Sequence, residues 1–337
     1  MQKQNWIIVL IVTGLCLLIF SEIIDAVNTP KKEIPKLIQD SWVAPSLFTD
    51  RELQGEERQL IIYGEELISN TSKYLGPNGS VAAITNGMNC QNCHLYGGRK
   101  SWGNNYGGVA ANYPKFRDRS GGMETVYKRV SDCMERSLNG TALDSNSKEM
   151  QAMMAYIKWV GHAVIKDSTP KGTGIQPPAY LDRAASPDNG NTVYSAKCQS
   201  CHSANGEGLM AADGKSYTYP PLWGPNSYNS GAGLFRLSRF AGYVRDNMPL
   251  NQATHNAPNL SDEEAWDVAA FVNSRPRPTK DLSKDWPNVS KKPIDHPFGP
   301  YTDGFTEQQH KFGPFKPIIK ERKKQKEAKE KEQVKII

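Results

Sequence analysis

The sequence predicts an all-α protein built as two tandem modules, and three observations predict it. A C-x-x-C-H motif occurs twice, 108 residues apart. Apolar residues recur at helical spacing around each copy. A stretch containing Lys171, Gly172, Pro177, Pro178 and Pro187 separates the copies. Cys90-Gln91-Asn92-Cys93-His94 and Cys198-Gln199-Ser200-Cys201-His202 each match the pattern for covalent haem attachment. Two thioethers reach two carbons on one haem edge, and the histidine that follows swings beneath the macrocycle to ligate iron. A zinc half-site would need other ligands nearby, and a redox dithiol would need a βαβ setting. The expected architecture is two cytochrome c-type domains, each wrapped around one haem c.

The elements follow in chain order. Residues 1–26 hold Lys3 and then an uncharged run, Trp6 to Phe20, ended by Glu22 and Asp25. That is the layout of a secretory signal. The run to Ile24 is also just long enough, at about 20 residues, to span a bilayer. A cleaved signal peptide and a transmembrane anchor over residues 6–24 are both open. Either places the body in the periplasm or another extracytoplasmic space. Leu15 before Cys16 argues against a lipoprotein.

Residues 27–55 read as a linker and 56–170 as the first domain. Its helices are expected at Glu56–Ser69, Glu124–Leu138 and Lys148–Ile165, with irregular backbone over Asn86–Arg119. After a linker at 171–187, the second domain covers 188–278. There a short helix leads into Cys198, a loop region runs from Gly206 to Gly233, and helices follow at Leu234–Arg245 and Ser261–Asn273. Ser261 and Glu264 form a capping-box pair. Residues 279–337 are rich in Pro and Lys and are expected to be a solvated, partly disordered tail. Lys320 to Lys335 holds eight Lys or Arg against four Glu, which is +4 of the chain's net +6. The folded middle is close to neutral, and a nucleic-acid partner is not expected.

Each haem iron takes a sixth ligand. In the second domain Met248 lies 46 residues after His202, in Asn247-Met248-Pro249. Met210 and His255 are its rivals, and a Met/His pair raises the potential. Of the chain's six cysteines four are spent on thioethers, two in each domain, and Cys16 lies in the leader, which leaves Cys133 of the first domain without a disulfide partner. Cys133 is either a small buried hydrophobe or a distal ligand, with Met123, Met134 and His162 as competitors.

Taken together, these residues resemble the diheme thiosulfate dehydrogenases that form tetrathionate. The first domain carries Cys90-x-x-Cys93-His94-Leu95, Tyr113-Pro114 and Arg129-x-x-x-Cys133-x-x-Arg136-Ser137-x-Asn139-Gly140. The second carries the run Pro220-Pro221-Leu222-Trp223-Gly224-Pro225-Asn226, then Asn247-Met248-Pro249-Leu250, then Ser261 through Phe271. The likeness covers about Gly64 to Pro278. It implies His94 and Cys133 as axial ligands of an active-site haem, with Arg119, Arg129 and Ser137 around the substrate. On a helix Arg129, Cys133 and Ser137 project to one side, and guanidinium groups bind small oxyanions through paired donors. In some relatives a lysine precedes the distal methionine. Here Asn247 stands there, so exchange of lysine for methionine is not expected.

The resemblance implies an enzyme that oxidises two thiosulfate to tetrathionate, a reaction that also runs in reverse. The second haem, with His202 and Met248, would pass electrons to a small c-type cytochrome or similar acceptor. The alternative is a non-catalytic diheme electron carrier or a cytochrome subunit of a respiratory complex. That alternative needs neither an anion pocket nor an unpaired thiol. A third reading, a sulfur-oxidation subunit handling carrier-bound thiosulfate, needs a partner protein.

Overall fold

The computed structural model describes residues 41–50 and 53–334. The apolar run at 6–24, expected as signal or anchor, lies outside them. Among the described residues no helix is long and apolar enough to cross a membrane. Helices of six residues or more are numbered α1 to α8 below.

The first domain rests on α1 (Gly55–Ser69), α2 (Val126–Arg136) and α3 (Lys148–Val160). In α1 Ile61, Gly64, Leu67 and Ile68 form the buried stripe. The Ser147 side chain caps α3 by accepting from the Met150 N–H, and Met150, Met153, Met154 and Ile157 face inward. The helix stops at Gly161, short of the expected Ile165. At the crossing of α1 and α3, a Cβ on Gly64 would lie 2.1 Å from the Ala152 carbonyl oxygen. Only a glycine permits the two backbones to approach so closely.

The second domain repeats this construction with α4 (Pro187–Lys197), α5 (Leu237–Asn247) and α6 (Asp262–Ser274). Here the crossing of α4 and α6 is at Gly190, whose Cβ would lie 1.9 Å from the Asp267 carbonyl oxygen. Pro187 opens α4 rather than closing the linker. Its missing N–H and fixed φ suit the first helical position, and Ser186 caps it. The Ser261–Glu264 capping box is formed in both directions.

There are two short hairpins, β1 (Lys115–Arg117) with β2 (Gly122–Glu124) and β3 (Leu209–Met210) with β4 (Tyr217–Tyr219); all but β2 fall in segments expected to be irregular, and β2 takes Glu124 from the start of an expected helix. They close loops without adding a layer, and the architecture is all-α.

The segment from 279 onward departs from the expected solvated tail. After Val289–Lys291, one turn of 3-10 helix, come α7 (Glu307–Phe312) and α8 (Phe315–Val334). Phe312, Phe315 and Ile318 are buried in the second domain's core. Asp295, 1% exposed, accepts hydrogen bonds from Arg236 and from the backbone and side chain of Ser238. Buried His310 stacks on Tyr301 and bonds the Ile294 carbonyl and Asp303, which also pairs with Arg322. Averaged over the whole segment, its charge hides these few apolar and paired anchors. Buried charges are tolerable when paired and hydrogen-bonded.

The two cores meet along a seam. Leu95, which follows His94, is buried with the second domain's core. Tyr243 donates to the Asn92 carbonyl, Tyr96 donates to Asn251, and the Trp102 ring stacks on His255 at 4.1 Å.

Candidate active site

Each attachment motif is wound into a tight helical turn. In the first, Asn89 and Asn92 cap the turn reciprocally, and the His94 N–H donates to the Cys90 carbonyl at 2.9 Å. In the second, the His202 N–H donates to the Cys198 carbonyl at 3.0 Å. One turn of helix brings the two sulfurs and the histidine ring to the same side. All four motif cysteines are unbridged and half-buried. Burial pushes Cys90 up to about 11 and Cys93 up to about 12, with nearby Cys133 adding to both. Burial thus favours the neutral form of both groups over the thiolate. The described residues include no group of three or more His, Cys, Asp or Glu able to hold a metal ion.

The histidines are built alike. His94 Nδ1 meets the Asn104 carbonyl at 2.5 Å, and His202 Nδ1 meets the Pro220 carbonyl at 2.9 Å. A carbonyl accepts only from N–H, so each ring keeps its proton on Nδ1 and offers the Nε2 lone pair. Burial pulls His94 down to about 4 and also lowers His202. Both observations fit axial ligation of haem iron. The two haem c groups of this protein thus meet a matching donor set in each domain. Around them the loops are tightly fitted. Gly98, at φ +81°, lies under the Tyr106 ring, which stacks on His94 at 4.5 Å. Gly206, at φ +67°, lies under Trp223 in the same way. The Pro-Pro-Leu-Trp run therefore has two uses, the carbonyl that orients His202 and the indole that fills the core.

Among the expected ligands of the first domain, Cys133 is the one that interacts electrostatically with Cys90 and Cys93. Its competitors are engaged elsewhere. Met123 is 66% exposed on β2, Met134 is buried in the core, and the exposed His162 bonds the Trp159 carbonyl through Nδ1. In the second domain Met248 follows α5 in extended backbone and packs half-buried against the core. Its rivals are likewise occupied: Met210 is exposed on β3, and His255 bonds Asp246 and stacks on Trp102. Asn247, before Met248, is fully buried and donates to the Trp102 and Tyr243 carbonyls.

The expected substrate residues are divided. Arg129 and Cys133 lie one turn apart on α2, and Ser137 continues the helical backbone as its C-cap. These three are brought to one side, as the spacing implied. Proximity to Cys133 raises the pKa of Arg129 against the opposing effect of burial. Arg129's guanidinium donates no hydrogen bond to any described residue, which leaves its fork available. Arg119 is not on this helix. It is 18% exposed, so it is no solvated surface charge. Its Nε donates to Asp285 and its Nη2 to the Gly231 carbonyl, both at 2.8 Å. Arg136 makes a two-pronged pair with the same Asp285, at 2.9 Å for each bond. Asp285 was not legible as a site residue, because it lies in the segment expected to be disordered.

Comparison with known proteins gives a consistent result. Residues 80–163 match the SoxA/TsdA cytochrome c domain, and residues 187–276 match the cytochrome c family. A thiosulfate dehydrogenase of Psychrobacter arcticus is 37% identical over 67% of this chain and 66% of its own length. One from Allochromatium vinosum is 38% identical over 73% of this chain and 87% of its own. The solved structure of thiosulfate dehydrogenase (TsdBA) from Marichromatium purpuratum, in its as-isolated form, superposes with a TM-score of 0.64 at 28% identity. That match covers 71% of this chain and 50% of that one. This chain thus spans about two thirds of the Psychrobacter relative and half of the Marichromatium chain.

Proposed function

Because the chain belongs to the thiosulfate dehydrogenase family of diheme cytochromes, we propose that it oxidises two thiosulfate to one tetrathionate. The reaction forms one sulfur–sulfur bond and releases two electrons, with no proton in the balance. When bound, the haem c groups supply two one-electron acceptors, one for each electron released. Cys90, Cys93, His94 and Cys133 would hold the first, and Cys198, Cys201, His202 and Met248 the second.

The chain's own part in the chemistry is electrostatic. Thiosulfate is a dianion, and two must meet, so their repulsion is the barrier that the protein lowers. Arg129 supplies an unpaired, preorganised fork beside Cys133, and Arg119 a second cation. The Ser137 hydroxyl, on the same face, donates to an anion oxygen. Electrons then leave through the second domain to a small c-type cytochrome or similar acceptor outside the cytoplasm. Residues 6–24 act as export signal or anchor.

The observation that carries this reading is Arg129, which has no hydrogen-bonded acceptor among the described residues and lies one helical turn from Cys133 at the first attachment motif. Purified diheme protein, thiosulfate and ferricyanide test it, with tetrathionate as the measured product. Turnover together with a thiolate-type low-spin paramagnetic resonance signal is expected. No tetrathionate, with the first haem's spectrum unchanged in Cys133→Ala, would instead leave a two-haem electron carrier.

A further inference from the structure

Residues 280–287 follow α6 and lie against both domains. The Lys280 N–H donates to Ser230 Oγ at 3.0 Å, and its Nζ pairs with Glu135 at 3.2 Å. The Trp286 N–H donates to the Arg119 carbonyl at 2.7 Å. Pro287 sits over the β1–β2 turn so closely that a Cβ on Gly121 would be 2.5 Å from its Cγ. Midway along this strap, Asp285 accepts from Arg119 Nε and from both Nη atoms of Arg136.

Two guanidiniums side by side repel each other, and a shared carboxylate fixes both planes at once. With Nε on Asp285 and Nη2 on Gly231, Arg119 has one nitrogen, Nη1, left to face an anion. Its main chain is held by Trp286 and its side chain by Asp285, so the strap grips it at both ends. The geometry points to Asp285 as the positioning residue that sets Arg119 for thiosulfate, which makes the C-terminal strap part of the substrate site. This rests on the reading of Arg119 as an anion-binding residue. Neither family match extends into the strap, since the second ends at residue 276.

Asp285→Asn keeps the shape but offers one acceptor atom and turns an amide N–H toward the remaining guanidinium. The expected result is a rise of about tenfold in KM for thiosulfate, of the order of losing one hydrogen bond to a charged group, with kcat changed much less. The dissociation constant of tetrathionate for the oxidised protein, measured by calorimetry, rises alongside. In an Arg119→Gln background the same substitution adds nothing, because Asp285 acts through Arg119. An unchanged or lower KM, or an equal effect in both backgrounds, overturns the assignment. If Asp285→Asn fails to load both haems, Asp285→Glu, which keeps the charge but shifts the carboxylate by a methylene, carries the same comparison. Wild-type protein that neither oxidises thiosulfate nor binds tetrathionate overturns the functional reading and the strap together. Wild-type activity with an indifferent Asp285 overturns the strap alone.

Discussion

In the first domain the side chains gathered near the attachment motif include a free thiol and Arg129, with Arg119, Arg136 and Asp285 clustered beyond them. In the second, Met248 packs against an apolar core, with the Asn247 amide nitrogen and the His255 Nδ1 already hydrogen-bonded. Yet the two domains share their helix crossing at a glycine and their histidine held by a backbone carbonyl. Chemistry is separated from scaffold: what holds a haem is repeated, and what faces it is not. On this view the first domain is the one equipped for an anionic substrate and the second for electron transfer alone.

The contrast is most exposed at the proposed sixth ligands. Cys133→Ala is expected to lower tetrathionate formation by at least about a hundredfold, the scale of losing a group that acts at the reacting centre, and to abolish the thiolate-type resonance signal. Met248→Ala is expected to change the second haem's spectrum and lower its potential, while tetrathionate binding by calorimetry stays as in wild type. Equal effects of the two on binding would break the division of labour. Next in size, Arg129→Gln should reduce kcat/KM by about a hundredfold, measured with ferricyanide as acceptor, with both haem spectra retained.

The shared scaffold predicts a symmetric result. Gly64→Ala and Gly190→Ala each force a methyl against a carbonyl, and each should cost about 1–3 kcal/mol as overpacking does. Thermal melts followed by haem absorbance would show it, and unequal costs would show that the crossings are not equivalent. The smallest effect concerns the C-terminal segment. Burial raises Asp295, but Arg236 and Ser238 outweigh it and hold the carboxyl below the usual carboxylate range. Asp303 is likewise lowered on balance by Arg322 and His310. The stability these groups contribute is present above the unfolded aspartate value of about 4 and is lost as pH falls through their lower folded values. Limited proteolysis should therefore begin to cut this segment only in strongly acidic solution.

Much of the scaffold was legible because it is written in local rules. The C-x-x-C-H spacing, the Ser261–Glu264 cap and the periodic apolar faces each act within a few residues. Pro187 was misassigned because the same residue marks a linker and a helix start, and only Ser186 before it decides between them. The β1–β2 hairpin escaped because its strands are three residues long. The C-terminal segment was misread for a different reason. Phe312, Phe315 and Ile318 gain their meaning from core residues no later than Val272 in the chain, and Asp285 gains its own from Arg119 and Arg136. Within the site, Arg129, Cys133 and Ser137 could be grouped by spacing along one helix. Arg119 required the tertiary fold to bring it in.

The seam between the domains has a kinetic consequence. Asn92 and Leu95 flank His94, and they are fastened to Tyr243 and the core around α5, the helix that Met248 directly follows. Tunnelling rates fall steeply with separation, so a loose hinge would smear electron hopping over many distances. Here the segment that carries His94 is part of the wall behind Met248, the proposed ligand of the second haem. Transfer across the molecule should accordingly follow a single exponential, indifferent to solvent viscosity.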